Sequence, residues 1–153
     1  MTMERPRKPG VLSADQVREL LEREFSQVMS RGSATVIEDV WHGGCRVRRA
    51  FSAKSLRPGG TIAGPTMMGL TDFAMYVAVL ASVGPVPLAV TTNLNINFLR
   101  KPAQKDLIAE CRLIKLGKRL AVGEVLIHSE GEDDMVAHAT STYSIPPPED
   151  RIG

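Results

Sequence analysis

The chain has 153 residues, 43% hydrophobic and 24% charged, the make-up of one water-soluble domain with length enough for a substantial core. A formal net charge of +2, basic residues scattered apart from Arg46, Arg48 and Arg49, and 5% aromatics argue against a nucleic-acid platform or a membrane-surface binder. Cys45 and Cys111 are too few for a disulfide framework and read as reduced, buried thiols of a cytoplasmic protein.

Residues 1–12 read as a tail: the first ten are basic and Pro-rich and lack the apolar centre of a signal peptide. A capping box at Ser13-Ala14-Asp15-Gln16 starts a helix. Val17, Leu20, Leu21, Phe25, Val28 and Met29 recur on one face of it, and Arg31-Gly32-Ser33 stops it. Strands are predicted over 34–41 and 45–51, turning at His42-Gly43-Gly44, followed by a loop over 52–60. Next comes an apolar helix, 65–83, with Pro65 at its first position, where a missing N–H costs nothing, and Gly84-Pro85-Val86-Pro87 after its end. Its longest apolar run, Phe73 to Val83, is roughly half of a membrane span.

The clearest alternation in the chain predicts a strand over 88–99. Leu88, Val90, Thr92, Leu94, Ile96 and Phe98 form a buried face, and the intervening residues, Asn93, Asn95 and Asn97 among them, a polar one. Strands over 106–116, 119–129 and 135–145 complete the pattern, the last with Met135, Ala137, Ala139, Tyr143 and Ile145 facing inward. Pro146-Pro147-Pro148 closes a single domain spanning 13–145 and opens a Pro-rich tail, 146–153. Helix, two strands, an apolar helix and four strands joined by short turns imply an α+β fold, an antiparallel sheet curled around the central helix.

Between Arg57 and Arg100 the only formally charged side chain is Asp72, in the middle of the apolar helix. A carboxylate there is costly unless paired, hydrogen-bonded or kept for chemistry. Its structural role would be a bond to a neighbour such as Thr71 or Tyr76. Met67, Met68 and Met75 on the same helix read either as adaptable pocket lining or as core filler. His128 and His138 have no ligands at metal spacing around them, so no metal site is expected.

The order of elements, with Gly60…Ala63-Gly64-Pro65…Leu70-Thr71-Asp72 and the later Asn97-Phe98-Leu99-Arg100-Lys101-Pro102, resembles the hotdog-fold acyl-CoA thioesterases, and most of all the phenylacetate-pathway (PaaI-like) group. The family pattern is Asn-x-x-Gly-x-x-His-Gly-Gly followed by Leu-x-Asp. Arg57 stands at the Asn, Gly60 at the Gly, Ala63 at the His, Gly64 at the first Gly of the pair and Pro65 at the second; Leu70 and Asp72 match. His42-Gly43-Gly44 spells the missing tripeptide, but no apolar helix with an Asp follows it.

The resemblance implies hydrolysis of an acyl-CoA, with Asp72 as general base or nucleophile and the Gly64 N–H polarising the thioester carbonyl from the positive end of the helix. Arg57, Gly60, Ala63, Pro65, Met68 and Asn97 would contact substrate, and Arg100, Lys118 and Arg119 would meet the coenzyme A phosphates. No cofactor is implied beyond coenzyme A within the substrate, and no nucleic-acid or membrane partner. Gly64 and Asp72 stand roughly 12 Å apart along the helix axis, too far to serve one carbonyl within a chain. A two-fold pairing of antiparallel helices would join them, which suits a homodimer or a homotetramer. The alternative is a hotdog protein that binds acyl-CoA without hydrolysing it, and Ala63 and Pro65 favour that reading.

Overall fold

A computed structural model describes residues 6–26 and 35–151. Helix α1, Ala14–Glu24, opens with the expected capping box: Gln16 N–H donates to Ser13 Oγ at 3.2 Å and Ser13 N–H to Gln16 Oε1 at 2.9 Å. Val17, Leu20 and Leu21 form its buried face. Val28, Met29, the stop at Arg31-Gly32-Ser33 and Ala34 lie outside the described residues.

Strands β1 (Thr35–Trp41) and β2 (Gly44–Arg49) form a hairpin. β2 ends before Phe51 because the Phe51 N–H leaves the ladder for Asp106 Oδ1, 2.8 Å away. That N–H, seconded by Arg48 at 3.0 Å, holds the Asp106 carboxyl below the usual range. The expected loop 52–60 carries structure: a 3-10 turn at Ala53–Ser55, then a small hairpin of β3 (Leu56–Arg57) and β4 (Thr61–Ile62). Helix α2, Gly64–Val83, follows, and then β5 (Val90–Phe98), β6 (Leu107–Leu116), β7 (Leu120–Ser129) and β8 (Met135–Ser144). A 3-10 turn, Pro148–Asp150, comes after the last strand.

The main sheet is antiparallel throughout, in the order β1-β2-β6-β7-β8-β5, and it wraps around α2. By length and composition α2 also resembles a membrane span, the one such helix among the described residues, but most of it is buried as the core of the domain. Its hydroxyls are satisfied locally, Thr71 on Met67 O at 2.9 Å and Ser82 on Ala78 O at 2.7 Å. The Met75 side chain of the helix packs on Gly123 of β7, where a Cβ would sit 2.5 Å from Met75 Sδ and force the methionine to shift. Cys45 and Cys111 oppose each other on β2 and β6, both buried, and burial pushes the Cys45 thiol well up. Residues 6–12 are not a loose tail. The Val11 N–H caps Ala81 O at 2.7 Å, one of the carbonyls left over at the end of α2, and Arg7 stacks 3.8 Å from the centre of the Trp41 ring.

Three expectations are corrected by irregular register or by incomplete cover. A bulge between Thr91 and Asn93 makes Thr92 an extra residue in β5. Thr91 pairs with buried Tyr143 and so faces the helix, while Val90 faces away. The face of β5 meant to be buried is only partly covered, with Phe98 49% exposed, because β5 is the sheet edge and α2 does not reach across it. In β8 the pairing jumps from Ile127↔Ala137 to His128↔Met135, so Met135 leaves the inner face it was expected to join.

Candidate active site

Asp72 lies on the half of α2 that the sheet leaves open, and it is half-buried. Neither Thr71 nor Tyr76 holds it: Thr71 bonds to its own helix, and Tyr76 OH donates to Pro87 O at 2.6 Å. Its partners come from the sheet. The Thr91 hydroxyl donates to Asp72 Oδ1 at 2.5 Å, and the Tyr143 hydroxyl to the same oxygen at 2.8 Å and to the Asp72 carbonyl at 3.1 Å. Oδ2 accepts no hydrogen bond among the described residues. Two hydroxyls on one oxygen fix the carboxylate plane and leave the other oxygen available for work.

The electrostatics keep those donors in place. Burial, with the Asp72 charge beside it, pushes the Tyr143 hydroxyl far above its ordinary range; the Thr91 contact opposes the shift without reversing it. Tyr76 is pushed up to about 12, mainly by burial. Both rings therefore remain protonated wherever the protein works.

Asp72 forms part of the wall of an open cavity of about 440 Å³ whose other walls are mostly apolar. From the carboxylate an aromatic row runs toward α1. Tyr143 and Tyr76 have ring centres 6.1 Å apart, and Phe25, at the end of α1, meets Tyr76 edge-on at 5.6 Å.

Gly64 occupies the other end of the exposed helix flank. As the first residue of α2 its N–H has no acceptor within the helix. Pro65 has no N–H, and the Thr66 N–H is taken by Ala63 O at 3.1 Å, so the Gly64 N–H is the uncommitted donor of this turn. The Phe98 ring packs beside the Gly64 Cα, so closely that a Cβ there would meet Cζ at 3.2 Å. Ala63 is the N-cap, its own N–H bonded to Ser55 O. Gly60 closes the β3–β4 turn onto Arg57 O, and its carbonyl accepts from Gln104 Nε2 at 2.9 Å.

The residues expected at one site therefore fall into two groups within a chain. Asp72 shares the Tyr143 end of the sheet with Lys118 and Arg119 in the β6–β7 turn, where Arg119 Nε donates to Ile145 O at 2.9 Å. Gly64, with Ala63, Pro65, Gly60 and Arg57, shares the Phe98 end with Asn97 and Arg100. Arg100 lies 3.9 Å from Asp134. Met68, 43% exposed, lies between the two groups on the uncovered side of α2, whereas Met67 and Met75 are core. Sequence reasoning missed Thr91, Tyr143 and Phe25. Tyr143 and Phe25 were legible only as inward-facing aromatics, and nothing in the residues announces the bulge that turns Thr91 inward.

The profile of the thioesterase superfamily matches residues 59–136, the stretch from the turn before α2 to the start of β8. A Saccharolobus solfataricus protein named "putative esterase" is 30% identical over 137 residues, 88% of this chain and 87% of its own length. The crystal structure of a "putative thioesterase" from Silicibacter sp. TM1040 superposes with a TM-score of 0.80 at 38% identity, covering 95% of this chain and all of the other. The Escherichia coli PaaI protein of the phenylacetic acid degradation operon shares the fold, with a TM-score of 0.74 over 92% of this chain and 94% of its own, at 22% identity. A helix wrapped by an antiparallel sheet, matched along most of its length by these relatives, identifies the chain as a hotdog-fold member of the thioesterase superfamily.

Proposed function

We propose that the protein hydrolyses acyl-CoA thioesters, with Asp72 as general base and the Gly64 N–H as oxyanion donor, the two drawn from different subunits of a homodimer. The observation that carries this reading is the Asp72 carboxylate, held through one oxygen by Thr91 and Tyr143 and open through the other at an apolar cavity. Asp72 Oδ2 takes a proton from water while the water oxygen adds to the thioester carbon. Negative charge builds on the carbonyl oxygen, which the Gly64 N–H and the helix dipole stabilise. Collapse breaks the C–S bond, the proton returns from Asp72 to the departing thiolate, and the products are the free acid and coenzyme A. No metal or redox group is needed for any of these steps.

The separation of Gly64 from Asp72 along one helix supports the shared site. So do the open edge of β5 and the uncovered apolar flank that runs from Met68 to Phe98. Antiparallel pairing across a two-fold axis would bring the Asp72 end of one chain to the Gly64 end of the other. Lys118 and Arg119 of one subunit and Arg57 and Arg100 of the other would then flank the coenzyme A phosphates. Asp72→Asn tests the chemistry, since amide and carboxylate are nearly equal in size but the amide is no base. Loss of coenzyme A release, read with a thiol reagent, at retained thermal stability supports the reading; wild-type turnover overturns it. Acyl-CoA binding by calorimetry without any turnover in the wild type would point instead to a binder, the reading that the single donor beside Pro65 favours.

A further inference from the structure

The open cavity beside Asp72 extends toward α1 on a side that the hydrolysis reading leaves unassigned. It begins at the carboxylate, follows the Tyr143 and Tyr76 rings, and meets Phe25 and Leu21 of α1. Among the described residues Asp72 is the only formally charged one in its lining, and the Tyr76 and Tyr143 hydroxyls are both engaged, one on Pro87 O and one on Asp72. Such walls suit an uncharged, apolar group; a carboxylate or a phosphate would enter beside a carboxylate, with no cation among the described lining residues. At about 30 Å³ per water-sized group, a cavity of about 440 Å³ holds about fifteen non-hydrogen atoms.

We infer that this cavity receives the acyl group of the thioester, and that Phe25, braced edge-on against Tyr76, is the wall that sets how long an acyl chain is accepted. The inference rests on the hydrolase reading for the identity of its ligand. Continuity with Asp72 supplies the direction: a thioester carbon within reach of the carboxylate directs its acyl tail along the aromatic row and its coenzyme A out of the mouth. Tyr76 is tied at its hydroxyl and packed on both sides, so it is a fixed wall. Phe25 is different. It stands at the C-cap of α1, 38% exposed, and its N–H already closes the helix on Leu21 O at 2.6 Å. Its side chain can therefore change without loss of that cap.

The test compares wild type, Phe25→Ala and Phe25→Trp on straight-chain acyl-CoAs from acetyl to palmitoyl. Coenzyme A release gives kcat/KM at each length, and calorimetry on the Asp72→Asn background gives binding at each length. Removing the ring should move the optimum to longer chains, with kcat/KM for an acyl group a few methylenes beyond the wild-type optimum rising about tenfold relative to that optimum. The larger indole should move it to shorter ones. Opposite shifts in the two variants establish Phe25 as the wall. An unchanged optimum in both variants, with circular dichroism and melting temperature showing them folded, overturns the inference. If no thioester is cleaved but binding shows the same opposite shifts, the wall stands and the hydrolase reading falls. If neither turnover nor binding depends on chain length, the cavity is not the acyl site.

Discussion

Tyr143→Phe removes one oxygen atom and nothing else, which makes it the sharpest probe of how Asp72 is held. The ring keeps its place against Tyr76, while the single hydroxyl donor shared between Oδ1 at 2.8 Å and the Asp72 carbonyl at 3.1 Å disappears. Thr91 still holds Oδ1, so the carboxylate is loosened and not released. A hydrogen bond to a charged group contributes about 1.5–3 kcal/mol, and each 1.36 kcal/mol of barrier is about tenfold in rate. The expected loss in kcat is therefore about 10- to 100-fold, with KM little changed, because the lost contact orients the base and does not touch substrate. The effect on folding is of the same order: a loss of about 1.5–3 kcal/mol lowers the melting temperature by about 3–12 °C for a chain of this size. Steady-state coenzyme A release and a thermal melt on the same preparation separate the two effects. Thr91→Val should act in the same direction, and Thr91→Ser should restore activity by returning the hydroxyl. A Tyr143→Phe enzyme with wild-type kcat and a lowered melting temperature would show that the bond is purely structural and would refute the argument.

The other expectations follow from the electrostatics and from the shared site. Tyr76 and Tyr143 are both raised in the fold above the ordinary tyrosine value of 10.0, so the native state holds their protons more tightly than the unfolded chain does. Their contribution is whole below pH 10 and is lost as pH climbs from there through about 12 and beyond; urea unfolding at a series of alkaline pH values should show the fall, and it should be shallower in Tyr143→Phe. Mixing an Asp72→Asn chain with a Gly64→Pro chain should restore one of the two sites in each heterodimer, since one site inherits both defects and the other neither. Heterodimers that form, as shown by differential tagging, but stay inactive would mean that each chain works alone.

The scaffold was legible because its signals are period and punctuation. All six strands of the main sheet, both α-helices among the described residues, the capping box and the Pro–Gly stop after α2 could be read from residues alone, although α1 ends at Glu24, before the Phe25 that its apolar face was expected to include. Asp72 could be singled out because one charge in a long apolar stretch is a local fact, and Gly64 because it stands at the first Gly of the pair in the thioesterase-like motif. What escaped depends on three dimensions. Thr91 shares its parity with the asparagines of β5, and only the bulge at Thr92 turns it toward the helix. Tyr143 reads as one more inward aromatic until α2 places a carboxylate above it. The exposure of Phe98 could not be foreseen from alternation, which reports that a face is apolar but not whether this chain or another one covers it.

That bulge has a consequence for how such a site arises. Strand parity is a rigid rule: shifting one residue past its neighbour moves every later side chain to the opposite face. A bulge confines the shift to one end, so Leu94, Ile96 and Phe98 keep their face while Thr91 exchanges solvent for the carboxylate. Thr91 and Thr92 together fill the place of one residue in a regular ladder, so the Thr91 hydroxyl reaches the half-buried acid while the rest of the sheet keeps its pairing. Deleting Thr92 would set Thr91 directly beside Asn93 and still opposite Tyr143, so the contact would survive in a straightened strand. Pairing Thr92 with Tyr143 in a regular ladder would instead turn Thr91 to the solvent face, so the contact depends on where β5 takes up its extra residue, a choice to which the scaffold is indifferent.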